Sequence, residues 1–177
     1  LNANVAIGYQ AGYSFTTTNE GGILAIGSQA LLYNSTGDYN CVVGNYAFQN
    51  CTTGVWNLGF GYKAGRATTT GSQVLAIGYQ ALVSNTTGNT TIGIGTNTLE
   101  SHTTGMFNTA VGIIAGENVT TGQNNLLLGH KAGNSNSPSG SITTGSGNVV
   151  LGDDQISNIY CNDTSISSSD ARDKTDI

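Results

Sequence analysis

Residues 75–95, LAIGYQALVSNTTGNTTIGIG, contain one full unit of a tandem repeat and the start of the next. The four-residue motifs Leu75-Ala-Ile-Gly78 and Ile92-Gly-Ile-Gly95 alternate larger and smaller apolar residues, and each motif ends on a glycine. Between them, a Thr-Thr pair precedes a second glycine, Gly88, which stands seven residues before Gly95. This order predicts a short strand, a glycine corner and a polar turn in every unit.

Both glycines recur along the chain. The anchor glycine, which ends the alternating motif, occurs as Gly8, Gly27, Gly44, Gly61, Gly78, Gly95, Gly112, Gly129 and Gly152. The six intervals from Gly27 to Gly129 are identical and define a 17-residue repeat, whereas the first interval is two residues longer and the last is six residues longer. The turn glycine occurs as Gly37, Gly54, Gly71, Gly88, Gly105, Gly122 and Gly145. The longest interval contains the insertion 134–140, which we expect to form a loop, and the constant spacing identifies a repeat architecture.

The residues before each anchor have the period of two that is typical of strands. We predict a core formed by the apolar residue directly before each anchor: Ile7, Ile26, Val43, Phe60, Ile77, Ile94, Val111, Leu128 and Leu151. The position two before the anchor holds mostly small residues, such as Ala25 and Ala76. A strand face of small apolar residues favours close approach of another backbone, so we expect that face to pack against other chains.

A single unit of the repeat is too short to bury a core alone, whereas stacked units bury one between them. We therefore predict an all-β fold in which residues 1–152 form a parallel β-roll or β-solenoid. Two segments follow the repeat, and the resemblance described below implies a strand-rich link for residues 153–168 and the beginning of a C-terminal motif for residues 169–177. Because such a coil has a thin interior, we expect a closed, symmetric homo-oligomer.

Composition excludes several classes of function. Five Lys+Arg residues and a net charge of -5 argue against nucleic acid as a partner. Membrane insertion is not expected, because no apolar run reaches the roughly 18 residues of a spanning helix. The three cysteines lack metal-ligand spacing, and we expect neither a metal nor another cofactor. With only 10 Asp+Glu residues and no paired carboxylates, polysaccharide hydrolysis is disfavoured, and we do not expect an enzyme. The first residue is Leu1, already in phase with the repeat, which suggests a piece of a longer polypeptide.

The repeat motifs resemble the head repeats of trimeric adhesins of the YadA type. The resemblance rests on motifs such as Val5-Ala-Ile-Gly-Tyr-Gln-Ala11 and Thr109-Ala-Val-Gly-Ile-Ile-Ala115, and it covers residues 1–152. It implies a left-handed parallel β-roll in which three chains pack into one head. The repeat typical of that family is somewhat shorter, and no segment resembles its coiled-coil stalk or membrane anchor.

The C-terminal stretch Ser169-Asp-Ala-Arg-Asp-Lys-Thr-Asp-Ile177 resembles the start of the self-cleaving intramolecular chaperone of phage tail fibres and tailspikes. That family has the pattern S-D-x-R-x-K-x-D-I, and its chaperone assists trimerisation before it is cut off. The resemblance implies that Ser169 and Lys174 correspond to the cleavage dyad, with Ser168–Ser169 as the scissile bond. Since the body of the chaperone is missing, we expect no cleavage activity from this chain.

Together these features predict a structural and adhesive segment of a phage tail fibre, located in the virion. Its expected partners are copies of itself, other regions of the fibre and a glycan or protein of the host surface. One alternative is a head fragment of a bacterial surface adhesin. A less favoured alternative is an ice- or carbohydrate-binding solenoid, since Thr pairs recur in the turns and exposed aromatic residues could form a ladder. These residues are Tyr9, Tyr62 and Tyr79 after anchor glycines, and Trp56 and Phe107 in equivalent turns. Packing between coils or chains is the favoured explanation of these aromatic residues.

Overall fold

The computed structural model describes residues 3–16 and 21–158, and all strands in these ranges belong to one parallel sheet. No helix occurs among the described residues. Each strand has three residues, and the nine are β1 (Val5–Ile7), β2 (Leu24–Ile26), β3 (Cys41–Val43), β4 (Leu58–Phe60), β5 (Leu75–Ile77), β6 (Ile92–Ile94), β7 (Thr109–Val111), β8 (Leu126–Leu128) and β9 (Val149–Leu151). Every strand ends at the residue before an anchor glycine.

The strands pair in sequence order, and the register joins equivalent positions of neighbouring repeats. Leu75 of β5, for example, pairs with Ile92 of β6. The same register continues across the longest interval, where Leu126 pairs with Val149. The extra residues 134–140 therefore lie between two strands without shifting them. These observations confirm the predicted all-β solenoid of stacked 17-residue coils.

Each coil turns through residues with left-handed backbone angles. In the repeat of β5 these are Gln80, two residues after the anchor, and Leu82, four after it, with φ of 54° and 53°. Thr90, five residues before the next anchor, has φ of 50°. Side chains adopt this region at a cost of about 1–2 kcal/mol per residue. The neighbouring coil offsets this cost, because the Gln80 N–H donates to the Tyr62 carbonyl at 2.9 Å.

The anchor glycines lie where successive coils meet backbone to backbone. Gly112 has φ of 137°, and a Cβ atom there would lie 2.5 Å from the carbonyl oxygen of Gly129. Gly27 has φ of 129°, and its Cβ atom would lie 2.6 Å from the carbonyl oxygen of Gly44. Both the backbone angle and the close approach require glycine, which explains the repeated residue.

The prediction of which strand residues are buried is wrong for the single chain. The nine predicted core residues point outward: Ile7, Phe60, Val111 and Leu151 are exposed, and Ile26, Val43, Ile77, Ile94 and Leu128 are partly exposed. The interior instead contains the residue between the two large ones, such as Ala25, Ala76 and Ala110. The middle residues of β2–β9 face the interior and are mostly small, because larger residues from other positions of the coil already fill that interior. The expectation that the small-residue face packs against other chains is therefore also wrong, since that face lines the interior of its own chain.

The interior is filled by large and small residues that compensate each other between coils. Phe48, four residues after Gly44, is completely buried. Its ring occupies space beside two glycines, since a Cβ atom would lie 2.7 Å from the ring at Gly59 and 2.5 Å from it at Gly65. In the preceding repeat, Leu31 and Val42 occupy the positions of Phe48 and Gly59, and both are buried. The larger ring of Phe48 thus requires a smaller neighbour.

A ladder of asparagines closes one side of the interior. Asn57, three residues after its turn glycine, is buried and accepts a hydrogen bond from the Val74 N–H at 2.9 Å. Its side-chain amide donates to the Gly71 carbonyl at 3.0 Å. Asn108 repeats the pattern, donating to the Gly122 carbonyl at 2.8 Å and accepting from the Asn125 N–H at 3.1 Å. These amides satisfy buried backbone groups that the strands leave unpaired.

A second polar column stands three residues before each turn glycine. It contains the buried residues Asn34, Cys51, Thr68, Asn85 and His102, and continues with Val119 and Ile142. His102 Nδ1 lies 3.1 Å from Asn85 Oδ1, and the Asn108 amide lies 3.2 Å from Nε2. These partners suit a neutral imidazole that donates from Nδ1 and accepts at Nε2. Burial lowers the pKa of His102 to about 4, which agrees with that neutral form.

Candidate functional site

The outward side of the sheet is an apolar surface that extends over all nine coils. We define the apolar face as the residues three before and one before each anchor glycine. The corner residues five before and one after each anchor flank this face and include both aromatic and polar residues. None of the eighteen strand positions carries a charge, and Thr109 is the only polar residue among them. A surface of this kind on a protein usually marks an interaction site.

The apolar face is long in the direction of the stack. Eight steps between strands at about 4.8 Å correspond to roughly 38 Å. The strand part of the face is narrower, because each three-residue strand places only two side chains outward. The face is therefore a long, continuous apolar strip that runs the height of the stack.

The coil of β4 carries the bulkiest outward side chains of the solenoid. Its four outward residues, which we name the aromatic belt, are Trp56, Leu58, Phe60 and Tyr62. They are 58%, 41%, 58% and 38% exposed, respectively. They alternate with Asn57, Gly59 and Gly61, which are less exposed, so all four side chains face outward. The coil therefore presents three aromatic rings at one level of the solenoid.

Rings of neighbouring coils hold both ends of the aromatic belt. Tyr39 stacks on Trp56 with ring centroids 6.3 Å apart and planes at 18°. At the other end, Tyr79 stacks on Tyr62 at 5.5 Å and 17°, and Tyr46 meets Tyr62 edge-on at 5.9 Å. The Lys63 ammonium lies 5.0 Å from the centre of the Tyr62 ring. These contacts fix the orientation of the belt before any partner binds.

Threonines form two parallel rows in the polar turns. In one row each hydroxyl donates to the carbonyl of its equivalent in the next coil, as Thr69 does to Thr86 at 3.2 Å and Thr86 to Thr103 at 3.0 Å. In the other row every member is exposed: Thr36, Thr53, Thr70, Thr87, Thr104, Thr121 and Thr144. The first row connects the coils, and the second presents a regular array of hydroxyl groups.

An ionisable pair lies at the last coil. His130 Nδ1 is 2.8 Å from Asp153 Oδ2, and His130 is largely exposed. The Gln155 backbone N–H and then His130 hold the pKa of Asp153 below its usual range. Among the described residues, no group of three or more His, Cys, Asp or Glu side chains could bind a metal ion. The pair fixes the segment that follows β9 to the preceding coil.

Two of the sequence predictions concern residues whose structure is not described. Ser168, Ser169 and Lys174 of the predicted cleavage motif lie outside the described residues, as does most of the predicted link 153–168. Within the described part of the chain, no helix is long and apolar enough to cross a membrane.

Comparisons with protein-family models, with characterised proteins and with solved structures gave no significant match. Function is therefore inferred from the repeat, from the apolar face and from the two resemblances in the sequence.

Proposed function

We propose that this chain is a structural and adhesive segment of a viral tail fibre, in which three copies pack through the apolar face. The observation that carries the proposal is the uncharged row of larger apolar side chains that points outward in nine consecutive coils. In water such a row is unfavourable, and contact with a matching surface would remove it from the solvent.

The partner that fits this face best is another copy of the same chain. The outward residues repeat once per coil, so a matching surface needs the same spacing, and an identical chain has it. The uncharged face also lets chains with a net charge of -5 approach without placing like charges in contact. A closed arrangement of three copies would bury one face of each chain and leave no apolar face for further addition.

The assignment to a tail fibre of a virion rests on the C-terminal resemblance. The motif that includes Ser169 and Lys174 occurs where such fibres begin their cleavable chaperone, and trimerisation is the step that this chaperone assists. A head fragment of a bacterial surface adhesin would use the same trimeric β-roll and is the second assignment. In either setting, the stiff stack presents polar turns, and three copies would increase weak binding to a host surface through avidity.

Self-association is tested by the native mass in light scattering together with one charged variant. We expect three times 18.1 kDa for the wild-type chain. Val111→Lys places an ammonium group on the apolar face and should give a folded monomer, since a buried unpaired charge is strongly unfavourable. Thr87→Lys, at an exposed turn, is the matched control and should keep the trimeric mass.

A wild-type chain that is folded and monomeric would refute the proposal. A mass of two chains would keep the face as an interface but refute the arrangement of three. The monomeric result would favour the exposed threonine row as a surface-binding array, of the kind that ice-binding solenoids carry. Inhibition of ice recrystallisation by the wild-type chain, lost in Thr87→Lys, would then be the expected result.

A further inference from the structure

Two copies that pack through a repeated face could align at more than one axial position along the stack. The outward strand residues of most coils are similar, for example Leu75 and Ile77 in β5 and Ile92 and Ile94 in β6. Two copies displaced by one coil along the stack would therefore still place apolar rows against apolar rows. A surface with such a short repeat specifies its alignment weakly, as do strands without a distinctive side-chain pattern.

The aromatic belt breaks this repetition. Phe60 is the only aromatic residue among the nine that directly precede an anchor glycine. The next coil has Gln73, Leu75 and Ile77 at the positions of Trp56, Leu58 and Phe60. Among the nine coils, that of β4 alone has large apolar residues at all four outward positions. One level of the apolar face is thus marked by bulk and by aromatic character.

Neighbouring coils support the two ends of the belt. Tyr39 stacks on Trp56 and Tyr79 stacks on Tyr62. Because these two rings already have partners within the chain, less of the belt has to be ordered when another copy binds.

We propose that the aromatic belt sets the axial alignment of the copies, so that the belts of all chains meet at one level. This inference rests on the proposed self-association through the apolar face. In the aligned assembly each Phe60 faces aromatic rings of the other chains. After displacement by one coil, Phe60 faces the level of Val43 or Ile77, and one coil of each chain is left uncovered at the end. Such an uncovered coil is an open site to which further chains can add.

The test uses a belt variant whose new residues are taken from the next coil. Trp56→Gln with Phe60→Ile reproduces the residues at Gln73 and Ile77, so the fold already accommodates both at equivalent positions. Tyr33→Gln removes an exposed aromatic side chain outside the apolar face and is the matched control. Far-ultraviolet circular dichroism checks that the sheet is retained.

Alignment is read from disulfide bonds between two co-expressed forms of the chain. One form keeps Cys41, and the other has Cys41→Ser with Leu24→Cys, which moves the thiol by one coil in the same outward column. Cys161→Ser is present in both forms, and Cys51 is buried. Aligned chains should form bonds between identical positions, whereas chains displaced by one coil should form the bond between positions 24 and 41. A disulfide needs Cα atoms closer than about 7 Å, so an offset of one coil changes which thiols can react.

For the wild-type belt and for Tyr33→Gln, we expect bonds between identical positions and a single trimeric mass. For the belt variant, we expect the bond between positions 24 and 41 to rise from background to the level of the others, with masses above that of the trimer. A trimeric belt variant with unchanged bonds and a single mass would overturn the inference while self-association stands. A monomeric wild-type chain would overturn both. Where no disulfide forms, the distribution of masses alone decides.

Discussion

Replacing Gly112 with alanine should destabilise the solenoid far more than a surface mutation does. The new Cβ atom would lie 2.5 Å from the carbonyl oxygen of Gly129 and 2.6 Å from its carbonyl carbon. Both contacts are with backbone, so no side-chain rotation relieves them and the two coils must separate. The φ of 137° adds about 1–3 kcal/mol, because residues other than glycine rarely adopt it. We expect a total loss of at least about 3 kcal/mol in the free energy of unfolding, as for other severe steric changes.

The assay is urea unfolding followed by circular dichroism, with Gly140→Ala as the matched control. Gly140 also has a positive φ, 66°, but nothing lies within 4 Å of an added Cβ atom. The control should therefore lose only the backbone term, about 1–2 kcal/mol. Equal losses in the two variants would refute the idea that contact between coils, rather than backbone angle alone, requires the anchor glycines.

Two further predictions concern the interior of the coils. Gly59→Ala should lower the free energy of unfolding by about 1–3 kcal/mol, because the new methyl group overpacks against Phe48. Adding Phe48→Leu should recover part of this loss in urea unfolding, since Leu31 already packs beside Val42 at the equivalent positions. Losses that simply add in the double variant would contradict the size compensation. The second prediction concerns the buried imidazole of His102, whose pKa is lowered to about 4 in the folded chain. As the pH decreases from about 6.5 to about 4, the unfolded chain takes up the proton before the folded chain does. The free energy of unfolding should therefore fall by about 3 kcal/mol over this range. His102→Asn, which copies Asn85 of the same column, should remove that pH dependence in unfolding measured across this range.

The repeat is sufficient to predict the strands and the corners. An alternating motif that ends on glycine marks a strand wherever it occurs. The motifs correctly predict, for example, the strands Leu75–Ile77 and Ile92–Ile94. The side of the strand that faces inward is not predictable by size alone. Large apolar residues such as Phe60 are normally buried, but here Phe48 already fills the interior beside Gly59, and Phe60 faces outward.

The buried polar columns were not predicted, although the sequence contains a signal for one of them. Asn40, Asn57, Asn108, Asn125 and Asn148 each follow a turn glycine by three residues, and aligning the repeats brings them into one column. Asparagine is common in turns, so each one taken singly indicates a turn and not an interior ladder. The column of Asn85 and His102 gives no such signal, because its members change from coil to coil and only their shared burial connects them.

The division between inside and outside links the stability of this solenoid to its assembly. The interior combines Ala and Gly with larger residues such as Phe48 and Leu82, but a single short coil buries them only together with its neighbours. The larger outward residues lie in solvent unless another chain covers them. If association covers the apolar face, binding to the folded chain alone stabilises it by mass action, and the unfolding midpoint should rise with protein concentration. Val111→Lys should abolish that dependence while leaving the stability of the single chain nearly unchanged, because its side chain projects away from the interior. A midpoint independent of concentration in the wild-type chain would mean that the small interior is sufficient alone, and that the outward residues serve a different partner.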